Sequence, residues 1–253
     1  MRISFLGTGT SQGVPVIACP CSVCTSDDPS DNRLRSSVLI ETEEANFVID
    51  SGPDFRYQML RQKVKKLDAI VFTHGHKDHT AGLDDVRAYN YFQQKEMDIY
   101  ASEETQEVLH REFQYIFLNS SYPGVPQIKM HELRNDPFYI NGLKITPIRA
   151  LHYKMEVFGF RIGDFSYITD ANYIAPEELE KIKGSKVLVL NALRLEQHIS
   201  HFTLEEATQL AQTLNCEQTY FTHISHQLGL HAQVNAALPK GIALAYDGLC
   251  ITL

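Results

Sequence analysis

The chain has 253 residues, of which 43% are hydrophobic and 21% are charged, a composition typical of a globular protein rather than a disordered or fibrous one. Its formal net charge of −8 disfavours nucleic acid as a partner, because proteins that bind nucleic acid through its phosphates present a basic surface. No apolar stretch is long enough to cross a membrane, and the first residues are too short an apolar run for a signal peptide. We therefore expect a cytoplasmic protein that does not associate with membranes.

The predicted elements begin with a strand over residues 3–6 and a glycine-rich loop over residues 7–13. The loop lacks the lysine of a P-loop and does not have the Gly-x-Gly-x-x-Gly spacing of a dinucleotide-binding turn. We therefore interpret it as a tight turn that brings backbone close to an active site.

Three cysteines, Cys19, Cys21 and Cys24, lie within six residues of one another in a polar loop. The chain has five cysteines in all, and an odd number argues against a disulfide framework. Clustered thiolates favour zinc among the common metals, and a tetrahedral zinc site needs one more ligand. We predict a structural zinc at this loop; the alternative, three buried and inert cysteines, is disfavoured by the polar neighbours.

Two strands over residues 37–41 and 46–50 form a predicted hairpin, and the second of them ends in Asp50. Pro53 then lies where a helix over residues 55–63 is expected to begin. An apolar run over residues 67–72, with β-branched residues at its centre, predicts a buried strand.

The densest group of potential metal ligands follows that strand directly. His74, His76, Asp78 and His79 occupy six positions with the spacing His-x-His-x-Asp-His. Four such side chains serve no packing purpose, and imidazole together with carboxylate suits zinc, iron or manganese. The two residues His74 and His76 point the same way if the chain is still extended, whereas the other two lie past a turn. The spacing therefore predicts two metal ions.

This motif resembles the signature of the metallo-β-lactamase superfamily. The Gly-Leu-Asp-Asp-x-Arg run over residues 82–87 and the cysteine cluster are similar to its PhnP-like phosphodiesterase branch. That branch includes the cyclic-phosphate phosphodiesterase of the carbon–phosphorus lyase pathway and, further off, transfer-RNA 3′-processing endonucleases. The resemblance implies an α/β (α+β) fold, a four-layer αββα sandwich with the metals at one edge between the sheets. No linker divides the chain, so we expect one domain over residues 1–253.

The predicted elements of the middle of the chain are a helix over residues 80–89, a strand over residues 98–101 and a helix capped by Ser102. A loop is expected over residues 119–126. In the 82–87 run, Asp84 and Asp85 could either support the ligand histidines or be solvated, because the two kinds of carboxylate look alike in sequence.

Three later strands each end in a potential metal ligand. Residues 145–152 end in His152, residues 165–169 lead into Asp170, and residues 216–223 end in His223. A capping box at Thr203 predicts the start of a helix. The last two predicted strands, residues 242–246 and 249–253, read as an antiparallel pair across an Asp-Gly turn in which Asp247 is only a turn residue.

The resemblance assigns these residues to particular roles. It implies that one divalent ion, zinc or manganese, is bound by His74, His76 and His152, and a second by Asp78, His79 and His223. It further implies that Asp170 bridges the two ions and that Asp50 orients the ligands without binding metal. It also implies that the cysteine site is completed by a distant histidine, for which His226 is the candidate and His231 the reserve.

The activity implied by the resemblance is hydrolysis of a small phosphodiester, cyclic ones included. A hydroxide shared by the two ions would attack phosphorus, with the ion ligand Asp78 counted among the catalytic residues and His201 as the general acid. His198 is the weaker candidate for the acid. The alternatives are transfer-RNA 3′ processing, thioester hydrolysis, which the Leu-His-Tyr sequence around His152 disfavours, and a di-iron redox or sensor protein. We expect a small-molecule substrate, and a homodimer is compatible with the sequence.

Overall fold

Two seven-stranded sheets form the centre of the molecule. The computed structural model describes residues 1–118 and 124–253, so the predicted loop over residues 119–126 lies mostly outside the described residues. The first sheet contains β1 (Arg2–Gly7), β2 (Ser37–Glu41), β3 (Asn46–Ile49), β4 (Ala69–Val71), β5 (Met97–Ala101) and β6 (Ile128–Glu132). The second contains β7 (Phe138–Ile140), β8 (Leu143–His152), β9 (Met155–Ile162), β10 (Phe165–Tyr167), β11 (Val187–Asn191), β12 (Gln218–Thr222) and β13 (Ile242–Leu244), and β14 (Cys250–Thr252) returns to the first.

The two sheets have matching topology. The first has the order β14-β1-β2-β3-β4-β5-β6 and the second the order β13-β12-β11-β10-β9-β8-β7. In the first sheet β3 to β6 run parallel, and in the second sheet β10 to β13 run parallel. Loops that follow the carboxyl ends of parallel strands gather at one edge of a sheet, which is where α/β proteins place ligands.

The helices cover the outer faces of the sheets. They are α1 (Phe55–Gln62), α2 (Lys77–Thr80), α3 (Arg87–Gln93), α4 (Glu103–Glu112), α5 (Gln114–Phe117), α6 (Pro176–Ile182), α7 (Leu204–Leu214) and α8 (His231–Ala237). One buried cluster, which includes Phe47 and Phe160, fills the space between the sheets. Two others pack each sheet against its own helices. The predicted four-layer αββα sandwich is therefore confirmed. No helix within the described ranges is both long and apolar enough to span a membrane.

The predicted helix over residues 80–89 is interrupted. A short 3₁₀ helix, Leu83–Val86, precedes α3, and Gly82 separates it from α2. The backbone N–H of Gly82 donates to the carbonyl of Ser51 at 2.8 Å. A Cβ atom at Gly82 would lie 2.3 Å from the carbonyl oxygen of Gly52, so the chain packs directly against the end of the β3 segment there and cannot continue as a regular helix.

The predicted antiparallel pair at the end of the chain is wrong. The strand β13 pairs in parallel with β12 in the second sheet, whereas β14 pairs antiparallel with β1 in the first. Asp247 lies where the chain crosses between the sheets, and it is more than a turn residue. Its carboxylate accepts from the hydroxyl of Thr8 at 2.8 Å and from the backbone N–H of Leu34 at 2.9 Å, and it pairs with Arg61 at 3.5 Å. These contacts compensate the burial of the carboxylate.

Candidate metal centre

The ligand-type side chains meet at the edge where parallel strands of both sheets end. Asp50 follows β3, His74 lies just beyond β4, and His79 lies on the short helix α2. From the second sheet, Asp170 follows β10 and His223 follows β12. The histidine motif and the distant strand ends are therefore brought together by the matching topology of the two sheets.

Three overlapping groups of ligand atoms lie at this edge, and the atoms within each group are within 4.8 Å of one another. The groups are His74, His76 and His152; Asp78, His79, Asp170 and His223; and His152, Asp170 and His201. The third group shares His152 with the first and Asp170 with the second. The arrangement thus offers two adjacent sets of ligands connected through one carboxylate.

Hydrogen bonds to Asp50 fix the orientation of two of the histidine rings. Nδ1 of His79 donates to Oδ2 of Asp50 at 2.7 Å, and the hydroxyl of Thr73 donates to the same oxygen at 2.9 Å. Because that hydroxyl is used as a donor, it accepts from Nδ1 of His74, 2.9 Å away. Both rings consequently direct Nε2 into the cluster, the nitrogen that would bind a metal once it is unprotonated.

His152 is oriented in the same way by a different partner. Its Nδ1 donates to the backbone carbonyl of Ser200 at 2.8 Å, which leaves Nε2 free to bind. Ser200 precedes His201 directly, so this bond also fixes the loop that carries the candidate general acid. The ring of His201 lies 4.5 Å from the ring of His152, measured between centroids.

Asp170 lies at the centre of the second group. Its Oδ2 is 3.1 Å from Nδ1 of His223 and 3.3 Å from Nε2 of His79, and its Oδ1 is 3.9 Å from Nδ1 of His201. These three histidine nitrogens are buried and have no hydrogen-bond partner among the described residues. Buried polar atoms without partners are rare, and convergent ones of this chemistry fit a metal ion.

The charges of the cluster also fit a cation. Burial lowers the pKa of His74 and of His223. Burial acts against the charged form of His79 as well, but Asp170, Asp78 and Asp50 together raise its pKa well above the ordinary value. Three carboxylates around one imidazole, two of them buried, therefore need positive charge, which divalent ions bound at this site would supply.

Three residues at the site have a left-handed backbone conformation that non-glycine residues rarely adopt. The φ angles are 64° at Asp50, 56° at Asp170 and 55° at His223. Such conformations are strained and persist where the surroundings hold them. At Asp170 the conformation is held by Asn191, whose side chain forms hydrogen bonds with both the N–H and the carbonyl of Ala171, the next residue.

The cysteine loop forms a separate group. Cys19, Cys21, Cys24 and His226 have ligand atoms within 4.8 Å of one another. Nδ1 of His226 lies 3.3 Å from the sulfur of Cys19 and 3.3 Å from that of Cys21. Hydrogen bonds from the backbone N–H of Cys24 and from His226 lower the pKa of Cys21 to about 6, which favours the thiolate that binds zinc. The four residues fit a structural zinc.

Of the two histidines considered for the cysteine site, the structure brings His226 to it and places His231 elsewhere. Nδ1 of His231 accepts from Arg33 at 2.9 Å, and His231 is not part of the cysteine group. Asp84 and Asp85, for which the sequence allowed either a supporting or a solvated position, form no hydrogen bond with the ligand histidines among the described residues. Asp84 pairs with Arg87 and accepts from Tyr115, and Asp85 is half-buried beside Asp84.

Several residues of the site were missed by the sequence reasoning. Thr73 connects His74 to Asp50, and the hydroxyl of Thr169 donates to Oδ2 of Asp170 at 2.7 Å. A threonine immediately before a strand-end ligand is a repeated pattern, at residues 73–74, 169–170 and 222–223, and it could have indicated this support. Asn191 carries no comparable signal, because it ends an apolar strand twenty positions from the residue it supports.

Comparisons with known proteins show the family of the chain. A profile of the β-lactamase superfamily domain matches residues 45–224. An octanoyltransferase from Porphyromonas gingivalis is 38% identical over 252 residues, which cover 98% of this chain and 51% of that protein. A ribonuclease Z from Nostoc sp. is 29% identical over 170 residues, 65% of this chain and 47% of that protein. The chain thus spans about half the length of these relatives.

Solved structures extend the similarity to the whole fold. A structure described as a new diphosphatase from the PhnP family has a TM-score of 0.94 and 42% identity, covering 100% of this chain and 97% of that one. Zinc-bound PqqB from Methylobacterium extorquens has a TM-score of 0.80 and 20% identity, covering 100% of both chains. At that identity, the second similarity concerns the fold alone.

Proposed function

The chain belongs to the metallo-β-lactamase superfamily and to its PhnP-like branch, and from that premise we propose that it is a metal-dependent hydrolase of a small phosphodiester. The observation that carries the proposal is the position of Asp170, which connects the group around His152 with the group around His79 and His223. A carboxylate so placed can serve two ions at once. Phosphoryl transfer is one of the reactions that two adjacent ions catalyse, and the similar structure described as a diphosphatase supports it here.

The proposed ligands divide into two sets. His74, His76 and His152 would hold one divalent ion, zinc or manganese. Asp78, His79 and His223 would hold the other, with Asp170 shared between them. Two ions held by these residues would supply an activated water at neutral pH and would neutralise charge on the phosphoryl oxygens.

His201 is the proposed general acid. Its ring is buried beside His223, Asp170 and His152, and burial is the main reason that its pKa is lowered to about 3. Its Nδ1 lies 3.9 Å from Oδ1 of Asp170, so the ring is at the edge of the cluster. We propose that His201 passes a proton to the leaving oxygen there.

His198 holds the backbone of the loop that precedes His201. Its Nδ1 accepts from the backbone N–H of Ser200 at 3.3 Å, and its ring lies 5.1 Å from the ring of His201, measured between centroids. His198 is also more exposed than His201. The geometry therefore favours His201 over His198 as the residue that faces the reacting oxygen.

The names of two similar proteins suggest two alternative substrate classes. Ribonuclease Z similarity suggests RNA cleavage, but the net charge of −8 opposes binding of a long polyanion. The octanoyltransferase relative makes acyl substrates the other rival, although that name describes a protein of which this chain covers only 51%. Both rivals can be assayed on the same preparation.

The experiment is hydrolysis of bis(p-nitrophenyl) phosphate by the metal-loaded protein, by the chelator-treated protein and by His201→Ala. We expect turnover that requires metal. In His201→Ala, kcat should fall about 100- to 10,000-fold for a diester with an alkoxide leaving group, such as 2′,3′-cyclic AMP, and much less for bis(p-nitrophenyl) phosphate, whose leaving group needs little protonation. The metal content of the variant should be unchanged, and His131→Ala, at a surface ion pair with Asp98, is the matched control. Absence of turnover in the fully loaded protein, or faster hydrolysis of an octanoyl thioester, would contradict the proposal.

A further inference from the structure

Backbone hydrogen bonds gather three chain segments around His152 at the mouth of the metal centre. The carbonyl of Ser200 accepts from His152, as described above. The backbone N–H of Leu151 donates to the carbonyl of Tyr173 at 2.8 Å, and the N–H of Asn172 donates to the carbonyl of Leu151 at 2.8 Å. These contacts fix the backbone of the three segments close to His152.

Three residues of these segments expose large apolar side chains. Tyr153 follows His152 and is 48% exposed, Tyr173 follows Asn172 and is 50% exposed, and Ile199 precedes Ser200 and is 65% exposed. Single exposed apolar side chains are common on protein surfaces. Of the three, Tyr153 is the one with a contact toward the metal centre, through its neighbour Lys154.

Tyr153 is held in a rare conformation. It forms with Lys154 the two-residue turn between β8 and β9, and its φ angle is 59°. Glycine is the usual residue where such a turn requires a positive φ at its first position. The backbone N–H of Tyr153 donates to the side-chain oxygen of Asn172 at 2.7 Å, which holds the turn in this geometry. The backbone from which the ring projects is thus held before any substrate binds, and backbone strain of this kind concentrates at functional sites.

Lys154 connects this ring to the metal centre. Its ammonium lies 5.2 Å from the centroid of the Tyr153 ring. It also lines a cavity of about 510 Å³ together with His74 and His76. Two other cations of that cavity, Lys77 and Arg111, both pair with Glu112. Lys154 forms no ion pair within residues 1–118 and 124–253, so its charge is available for an anionic group of the substrate.

We propose that the substrate is a nucleotide whose base stacks on Tyr153 while Lys154 binds a phosphate oxygen. The inference rests on the proposed function, since it places the reacting phosphorus at the metal centre. A half-exposed aromatic ring on a fixed backbone suits a flat heterocycle, because every base has a π-face that can stack on it. An alkyl chain would instead require an enclosed apolar pocket.

The experiment compares AMP with ribose 5-phosphate, two ligands that differ only by the base. The zinc-loaded protein is titrated with each by calorimetry. We expect AMP to bind about 10-fold more tightly than ribose 5-phosphate, within the range of one base–aromatic stack. In Tyr153→Ala the two ligands should bind equally, whereas Tyr153→Phe should keep the preference. Lys154→Gln should weaken both ligands by a similar factor.

The matched control is Tyr139→Ala. Tyr139 is 59% exposed, but its partner in the sheet is Lys144, at the opposite end of β8 from His152. That separation is ~25 Å along the strand at the usual rise per residue. The control should bind both ligands as the wild type does.

Equal binding of the two ligands by the wild type, a preference that persists in Tyr153→Ala, or no binding of either ligand would overturn the inference. Turnover of bis(p-nitrophenyl) phosphate is measured on the same preparation. Turnover without a preference for AMP refutes the stacking site alone, whereas absence of turnover refutes the proposed function.

Discussion

The side chain of Asn191 forms two hydrogen bonds with the backbone of Ala171, the residue that follows Asp170. Its side-chain oxygen accepts from the N–H of Ala171 at 2.8 Å, and its side-chain nitrogen donates to the carbonyl of Ala171 at 3.0 Å. All three residues are buried. An amide that satisfies both backbone groups of the next residue holds Asp170 in its left-handed conformation, from which its carboxylate reaches both groups of ligands.

Replacement of Asn191 by leucine should therefore destabilise the fold and weaken metal binding together. The N–H and carbonyl of Ala171 would lose their partners, and each buried unsatisfied group costs about 1–3 kcal/mol. The free energy of unfolding is measured by urea denaturation of the metal-free protein, and metal affinity by chelator competition. Asn135→Ala, which removes a half-buried amide that donates to Glu178, serves as the control and should leave metal affinity unchanged. Unaltered affinity in Asn191→Leu would show that Asp170 needs no such support.

Replacement of Asp50 by asparagine should lower metal affinity about 10- to 100-fold, as loss of a carboxylate that orients a ligand histidine does. Three donors converge on this carboxylate: the backbone N–H and hydroxyl of Thr73 and Nδ1 of His79. An amide must turn its NH₂ group toward one of them. Affinity is again measured by chelator competition.

The surface offers a control for that variant. Asp98 accepts from Nε2 of His131 at 2.6 Å in a pair that is only half-buried. Asp98→Asn should leave metal affinity unchanged. If the two variants lose metal equally, the effect is not specific to the ring of His79.

Replacement of Cys24 by serine should remove one metal ion per chain. The cysteine group supplies four ligands, and a structural zinc site tolerates the loss of a thiolate poorly. Zinc content by mass spectrometry and the melting temperature should both fall. Cys250→Ser is the control, because Cys250 lies on β14 away from the cluster. An unchanged zinc count in Cys24→Ser would refute the structural site.

Stability should decrease in mild acid partly because of His231. Burial, followed by the charge of Arg33, lowers its pKa, and the ring accepts a hydrogen bond from Arg33. The folded-state pKa thus lies below the unfolded value of about 6.5. The unfolded chain takes up the proton first, so the stability contributed by the neutral ring is complete above about pH 6.5 and is lost as the pH falls below it.

The measurement compares the metal-free wild type with His231→Gln by urea denaturation at about pH 7.5 and about pH 5.5. The wild type should lose more stability between the two, by at most about 1.4 kcal/mol per pH unit. Equal losses in the two proteins would mean that His231 does not titrate differently in the folded state.

The sequence predicted the parts of this molecule that depend on local pattern. Strand alternation, the capping box at Thr203 and the spacing of the motif from His74 to His79 are short-range signals, and the helix cap at Thr203 is present as expected. The resemblance to a known family then supplied the distant partners His152, Asp170 and His223, which no local pattern connects.

What the sequence did not show depends on how the two sheets meet. An Asp-Gly pair favours a hairpin, yet the strands on either side of Asp247 enter different sheets, because β12 and β1 each offer an edge to one of them. The support of Asp170 by Asn191 arises in the same way. Such contacts depend on which strands pair over long distances in the sequence, and the local residue pattern does not predict that pairing.

We propose that two metal ions at the Asp170 cluster, separate from the cysteine site, make the protein a phosphodiesterase. The measurement is a stepwise zinc titration of the chelator-treated protein, with hydrolysis of bis(p-nitrophenyl) phosphate followed at each equivalent. We expect turnover to reach its maximum when the cysteine site and both cluster sites are filled, and we expect Cys24→Ser to reach it one equivalent earlier. Turnover in the metal-free protein, or none when all sites are filled, would contradict the claim.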